Sequence, residues 1–304
     1  MIKCKFCGFG GVVKKGIRRL KKGNKQIYFC KNCEHKFSLS ERKSKFRNDV
    51  VIDAVNYYCL GYSGNEVVDI LKRKHEVSVG NSSVYNWCKN YPYLKIRDEM
   101  SKRYGRNLVF SKIFKHDNLV YNFRFHKGKL LRFGKFDGLK RFIFNLEKGV
   151  DSEKFDSARC SQLKNNIDVN VTHNENNFLN LFVGDALKSC NSNKKRHSIV
   201  EKFMLCCDRD SVAVEVPVWY WEKGFGGISG HIDILQVKNG KVYVLDFKPN
   251  ANKENFDAVV SQLFHYARAL SFRTGVSLDN FRCGWFDWKD YFEFNPREAR
   301  LRNE

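Results

Sequence analysis

The feature that most constrains this chain is a two-residue turn. Gly230-His231-Ile232-Asp233-Ile234-Leu235-Gln236-Val237 leads into Lys238-Asn239-Gly240-Lys241 and continues as Val242-Tyr243-Val244-Leu245-Asp246-Phe247-Lys248. Asn-Gly between two apolar, β-branched runs is the strongest short-range hairpin signal. With Asn239 and Gly240 as the central residues, positions pair symmetrically about the turn, so Asp233 faces Asp246 with Cβ atoms roughly 4.5–5.5 Å apart. Lys248 lies two residues beyond Asp246 and points to the same face. Two directly opposed carboxylates destabilise a sheet. A divalent cation between them removes that cost, and oxygen ligands of this kind suit Mg²⁺ or Mn²⁺. The plainer reading, a structural hairpin with Asp at a strand end, stays open.

The segment after the hairpin narrows the choice. Ala258, Val259, Leu263, Tyr266, Ala269 and Leu270 form an apolar stripe at helical spacing, and Gln262 sits inside that stripe four residues before Tyr266. A buried amide needs partners, which a catalytic face supplies. Together, Asp233, Asp246-Phe247-Lys248 and Gln262-Leu263-Phe264-His265-Tyr266 resemble the PD-(D/E)xK nuclease family, specifically its RecB- and Cas4-like branch with a Q-x-x-x-Y element. His197 and Glu201 sit upstream, where this branch often has a helical His and the wider family a helical Glu. The resemblance covers roughly the last 110 residues. The Pro of the family's name is absent, because Gly230-His231-Ile232 precedes Asp233.

The resemblance implies a core in α-β-β-β-α-β order: helix 196–207, strand 212–221, the hairpin, helix 255–272 and strands after Phe281. It implies that Asp233, Asp246 and the Phe247 carbonyl hold Mg²⁺ or Mn²⁺. Glu201 and His197 join them or bind a second ion, although ordinary surface positions remain open for both. Lys248 orients water or stabilises the transition state, and Gln262 and Tyr266 position the region around Lys248. Glu215 is a weaker site candidate. Pro217 points to an edge or a bulge in its strand.

Charge divides the chain. Residues 197–304 carry 14 Lys+Arg against 15 Asp+Glu, whereas residues 1–196 hold the remaining 41 against 18. Residues 1–48 alone have 15 basic and 2 acidic side chains. The front of the chain therefore reads as a polyanion-binding surface. No apolar run approaches the roughly 18 residues of a membrane span, and no signal-peptide core follows Met1. With 11 Cys and no secretion signal, reduced thiols and metal ligands are expected, and a cytoplasmic location with them.

Four of those Cys are paired. Cys4-Lys5-Phe6-Cys7 and Cys30-Lys31-Asn32-Cys33 are two C-x2-C knuckles, spaced to present four thiolates to one structural Zn²⁺. Val12 to Gly16 and Gln26 to Phe29 read as a hairpin between them. It would carry Lys14, Lys15, Arg18, Arg19, Lys21 and Lys22 towards phosphates; a solvated charged face is the alternative. Further on, Asn48 to Tyr58, a helix capped by Ser63, and a helix from Ser82 have helix-turn-helix spacing. Ser82, Ser83, Tyr85, Asn86 and Lys89 would then lie near DNA, with Val84 and Trp87 packed inward. Residues 1–90 resemble the front of certain insertion-sequence transposases, on Cys4, Cys7, Gly8, Lys15-Gly16, Gln26, Tyr28, Cys30, Cys33, Phe37, Gly61, Val84 and Trp87. No convincing acidic triad of a transposase core follows residue 104.

Residues 106–149 alternate basic and aromatic side chains and read as short strands, with His126-Lys127-Gly128-Lys129 turning one hairpin. Residues 151–180 read as a loop or linker. Only Cys283 follows the Q-x-x-x-Y element, so no iron–sulfur cluster is expected.

The expected fold is multidomain α+β: a zinc ribbon (1–40), a helix-turn-helix domain (41–104), a β-rich middle region and linker (105–195), and a restriction-endonuclease-like core (196–304). The expected function is a metal-dependent deoxyribonuclease acting on DNA, linked to a mobile element or to DNA repair or defence. It works as a homodimer, with a partner transposase, or alone, and has no membrane partner. The alternative is a non-catalytic DNA-binding regulator or transposition accessory protein with a degenerate nuclease fold.

Overall fold

A computed structural model describes residues 2–301 except 5–9, 21–22, 33, 40–44, 90–93, 106–107, 117–118, 151–157, 164, 176, 191 and 223–225. The chain is a mixed α/β protein built on a mixed sheet. Among the described residues no helix is long and apolar enough to cross a membrane.

The first strands are β1 (Val12–Leu20), β2 (Gly23–Cys30) and β3 (Lys36–Phe37), which form their own antiparallel sheet. Its pairing shifts between Lys14 and Ile17, where Gly16 takes φ 113° and its carbonyl accepts from Gln26 Nε2 at 2.9 Å. That backbone conformation favours glycine. The core here is small: Cys4, Tyr28, Cys30 and Phe37, with Ile2 and Val12 against them.

Three helices follow: α1 (Asn48–Cys59), α2 (Gly64–His75) and α3 (Asn81–Cys88). Ser63 caps α2 as its sequence implies. Its hydroxyl accepts from the Glu66 N–H while the Glu66 carboxylate accepts from the Ser63 N–H at 2.7 Å, a reciprocal capping box. Val84 is fully buried and Trp87 half-buried, its ring edge-on to Phe46 at 5.5 Å.

After α4 (Leu94–Tyr104) come β4 (Val109–His116) and β5 (Leu119–His126). The expected turn at His126–Lys129 is instead the start of helix α5 (Lys127–Arg132). His126 makes the difference, because its ring accepts from the Lys129 N–H at 3.2 Å and caps the helix. The β4–β5 ladder runs from Val109↔His126 to His116↔Leu119. Helix α6 (Asp137–Asn145), the short strands β6 (Ala158–Arg159), β7 (Ile167–Asp168) and β8 (Val171–Glu175), and helix α7 (Phe178–Leu187) come next. The stretch read as a linker thus contains three short strands among its described residues.

The rest follows the expected order: α8 (Arg196–Cys207), β9 (Ser211–Glu222), β10 (Gly226–Lys238), β11 (Lys241–Phe247), α9 (Phe256–Thr274), β12 (Phe281–Phe286) and β13 (Asp290–Phe294), with β14 (Arg300–Leu301) after them. Asn255 caps α9 through the Ala258 N–H, and Gly275 ends it at φ 68°. One large sheet runs β4-β5-β9-β10-β11-β12-β13-β8, with β6 paired parallel to β10. The boundary drawn at 195/196 therefore runs through a single sheet. β5 meets β9 at Arg124↔Val214 and Phe125↔Ala213. Among the described residues no further β5–β9 pair is present, which leaves room for Pro217, a residue with no N–H to donate.

Two apolar layers clamp this sheet. On one side α9 contributes Val259, Leu263, Ala267 and Leu270 to a core shared with Phe123, Phe125, Val242 and Trp285. On the other, α8 supplies Val200, Phe203 and Met204 to a core that also takes Val55, Tyr58, Val67 and Val84 of the three helices. The helical unit is packed against the sheet through α8. Fully buried Lys129 reinforces this side, its ammonium donating to the carbonyls of Leu205, at 2.5 Å, and Asp208.

Candidate active site

Asn239 and Gly240 both take positive φ, 50° and 69°. This is the twist-matched turn their sequence implies. The ladder then runs Lys238↔Lys241, Val237↔Val242, Gln236↔Tyr243, Leu235↔Val244 and Ile234↔Leu245. Asp233 and Asp246 lie just beyond the last paired rung, each carboxyl within reach of the other's charge. Asp233 Oδ2 also accepts from the Phe247 N–H at 3.2 Å. Asp246 is only 2% exposed, and Lys248 Nζ stands 2.8 Å from its Oδ2. The three residues converge at the end of the hairpin.

Two glutamates complete the cluster. Glu201, 3% exposed, comes from α8. Glu215 comes from β9, where the β9–β10 ladder passes from Ile232↔Val216 to Ile234↔Val214 and omits Glu215 and Asp233. Glu215 has φ 50°, a conformation costing a non-glycine residue about 1–3 kcal/mol. Its carboxyl lies within electrostatic reach of Glu201. Such strain persists only where its surroundings enforce it, and it clusters at functional sites.

The electrostatics follow from burial and like charge. Burial, then the charges of Asp246 and Glu201, push the Asp233 carboxyl well above the usual range. Burial, then Glu215, does the same to Glu201, with Arg124 opposing. Burial raises Glu215 to about 7. Burial works against the Lys248 ammonium, but the charge of Asp246 and the hydrogen bond to it together outweigh burial and strengthen the cation.

The carboxyls of Asp233, Asp246, Glu201 and Glu215 are hard oxygen donors within reach of one another's charge, the type that Mg²⁺ or Mn²⁺ takes. Among the described residues no three His, Cys, Asp or Glu side chains are already gathered at coordinating geometry. The fit therefore rests on donor chemistry and on the electrostatic strain that a cation relieves.

The remaining expected residues border this cluster. Gln262 Nε2 donates to Tyr266 Oη at 2.9 Å. Tyr266 is buried, and its ring lies over Gly230, where an added Cβ would come within 2.3 Å of it. The lack of a side chain at Gly230 is what admits Tyr266. His197 is exposed, with its ring edge-on to Phe247 at 5.1 Å and hydrogen-bonded to the Phe247 backbone; the protein packed beside it disfavours its cation.

Sequence reasoning placed Glu215 weakly and missed Arg124, Tyr121 and Arg159. Arg124 pairs with Val214, next to Glu215. Tyr121 accepts from Arg159 Nη2 at 2.6 Å, stacks on His231 at 3.4 Å, and lies within reach of the Glu215 and Asp233 charges. Alternation marked Arg124 as an outward-facing residue of its hairpin. Only the β5–β9 pairing brings it to the site.

At the front of the chain, Cys4 and Cys30 are buried together, 1% and 0% exposed. Cys7, Cys33, Lys21 and Lys22 lie outside the described residues. Lys14, Lys15, Arg18 and Arg19 are exposed along β1. On α3, Ser82, Tyr85, Asn86 and Lys89 are exposed and Ser83 is half-buried.

No family model, curated protein or solved structure matches this chain. Function has to be read from the chemistry of the site.

Proposed function

We propose that this protein is a Mg²⁺- or Mn²⁺-dependent deoxyribonuclease of the PD-(D/E)xK type, directed to DNA by its basic N-terminal ribbon and helices. One observation carries the reading: Asp233, Asp246 and Lys248 meet at a buried corner that Glu201 and Glu215 also enter. A purely structural hairpin has no use for four crowded carboxyls and a strained backbone at the same point.

Asp233, Asp246 and Glu201 would hold the cation. A bound divalent ion supplies a water of lowered pKa and charge neutralisation at the phosphate. Asp246 anchors Lys248, whose partly exposed ammonium offers positive charge to a phosphate oxygen as charge develops there. Tyr266, held by Gln262 and seated on Gly230, keeps the floor of the site dry. His197 braces the Phe247 backbone between the two residues that matter most. At the front, Cys4, Cys7, Cys30 and Cys33 would bind one structural Zn²⁺, with the burial of Cys4 beside Cys30 in support.

The test is a nuclease assay of the full chain on linear, circular and branched DNA with Mg²⁺ or Mn²⁺. The parent should cut at least one of these, and Asp246→Ala should cut none while retaining DNA binding. Cleavage by Asp246→Ala at the parental rate overturns the assignment. DNA binding without cleavage under any metal hands the chain to the regulator reading.

A further inference from the structure

Between the helical unit and the sheet lies a cleft of about 590 Å³. It is lined by Leu60, Tyr62 and Glu66 on one side and by Arg124, Lys202 and Leu205 on the other. That volume suits a single nucleotide-sized ligand.

Its chemistry is one-sided. Glu66 is the only acid among the lining residues, and its carboxylate is engaged by the Ser63 N–H at 2.7 Å. Arg124 and Lys202 supply two cations. Tyr62 supplies an aromatic ring that is 42% exposed yet firmly held. Its carbonyl accepts from Arg97 Nη2 at 2.7 Å, and its ring stands edge-on to Tyr57 at 5.7 Å. Lys202 Nζ lies 5.3 Å from the centre of that same Tyr57 ring. A fixed aromatic face beside two cations is the combination that binds a base and its phosphate in single-stranded nucleic acid.

The cleft also touches the catalytic corner. Lys202 follows Glu201 on α8, and Arg124 pairs with Val214, the neighbour of Glu215. We propose that this cleft is a nucleotide subsite. It seats the deoxynucleotide adjacent to the scissile one, with phosphate on Arg124 and Lys202 and the base against Tyr62. The assignment rests on the nuclease reading for its role in cleavage, but not for its ligand chemistry.

Binding without metal separates the two. Thymidine 5′-monophosphate and single-stranded octathymidylate are titrated calorimetrically into the metal-free full chain, with inorganic phosphate as a third probe. The monophosphate and the oligonucleotide should bind, and phosphate alone should bind at least about tenfold more weakly, since stacking contributes much of the affinity. Tyr62→Ala and Lys202→Gln should each weaken the monophosphate by about tenfold. Both are half-exposed or exposed positions, and circular dichroism checks their folding. On any DNA that the parent cuts, Tyr62→Ala should raise KM more than it lowers kcat. Parental monophosphate affinity in both variants, or phosphate binding as well as the nucleotide, overturns the subsite whether or not the protein cleaves DNA. Monophosphate binding that octathymidylate cannot displace also overturns it, because the site would then serve a free nucleotide. Nucleotide binding lost in the variants upholds it even in a protein that cuts nothing, in which case only the nuclease reading fails.

Discussion

Two hairpins in this protein treat charge in opposite ways. In β1–β2 the charged residues are cationic and stand in water, and the strands lean on a core in which four of the described side chains are buried. In β10–β11 the charged residues just beyond the last rung are anionic, Asp246 buried and Asp233 half-buried, between two large apolar layers. Exposed charge costs little and acts at long range, so the first hairpin suits attraction of a polyanion. Buried charge is expensive unless paired, so the second keeps its carboxyls only by sharing protons, by pairing with Lys248 or by accepting a cation. The first hairpin is short of core and the second is short of counter-charge. A metal ion would answer each shortage differently.

The largest effect should come from the buried hairpin. Asp246→Ala should lower cleavage by about a thousandfold or more, with DNA affinity within about threefold of the parent, since the cations that attract DNA lie elsewhere. Lys248→Ala should lose a hundredfold or so while keeping Mn²⁺ affinity, measured by calorimetry, because a lysine is not a ligand. A parallel loss of metal and activity would mean that Lys248 holds Asp246 in place and does not act on the phosphate.

Zinc removal should break the exposed hairpin alone. Chelation, or Cys30→Ser, should release about one zinc per chain and abolish amide protection across residues 12–37, while β9 to β13 keep theirs by hydrogen exchange. Retained protection in metal-free protein would show that the small cluster of Tyr28 and Phe37 suffices.

The acid cluster should give the metal-free protein an inverted pH profile. Carboxyls raised in the folded state bind more protons there than in the unfolded chain, so their stabilisation is complete below their ordinary pKa and is lost as pH rises through the folded value. For Glu215 that window runs from 4.5 to about 7. The melting temperature without metal should fall by several degrees between pH 5 and pH 8, and Mg²⁺ or Mn²⁺ should flatten the slope. Glu215→Gln should also reduce it; an unchanged slope in that variant would put the proton uptake elsewhere.

The smallest effect should come from the solvated cations. Replacing Lys14, Lys15, Arg18 and Arg19 by Ala should weaken DNA binding several-fold at low salt and reduce the salt slope by about 0.9 for each phosphate contact removed. An unaltered slope would reassign them to solubility.

The sequence made these hairpins legible to different depths. The Asn239-Gly240 turn fixes register through local backbone chemistry, so the meeting of Asp233, Asp246 and Lys248 was readable from spacing alone. The caps at Ser63 and Asn255 were local in the same way. Arg124, Tyr121 and Arg159 were not readable, because their place depends on β5 finding β9 and β6 finding β10 across long stretches of chain. Glu215 fell between: its strand was evident, but nothing in the local sequence announces its positive φ or the break in the β9–β10 ladder beside Asp233. The His126 turn failed because one side chain capped a helix that composition alone does not announce.

One consequence follows from the core that α1, α2 and α3 share with α8. Tyr58 and Val67 are packed into the same apolar layer as Val200 and Phe203, and Glu201 rides on the helix between them. The helices proposed to hold DNA and the helix that carries Glu201 therefore share one apolar layer. Under the proposed function such a molecule would act as a caliper, in which the place of grip sets the place of the cut, and cleavage should fall at a fixed distance from the bound sequence.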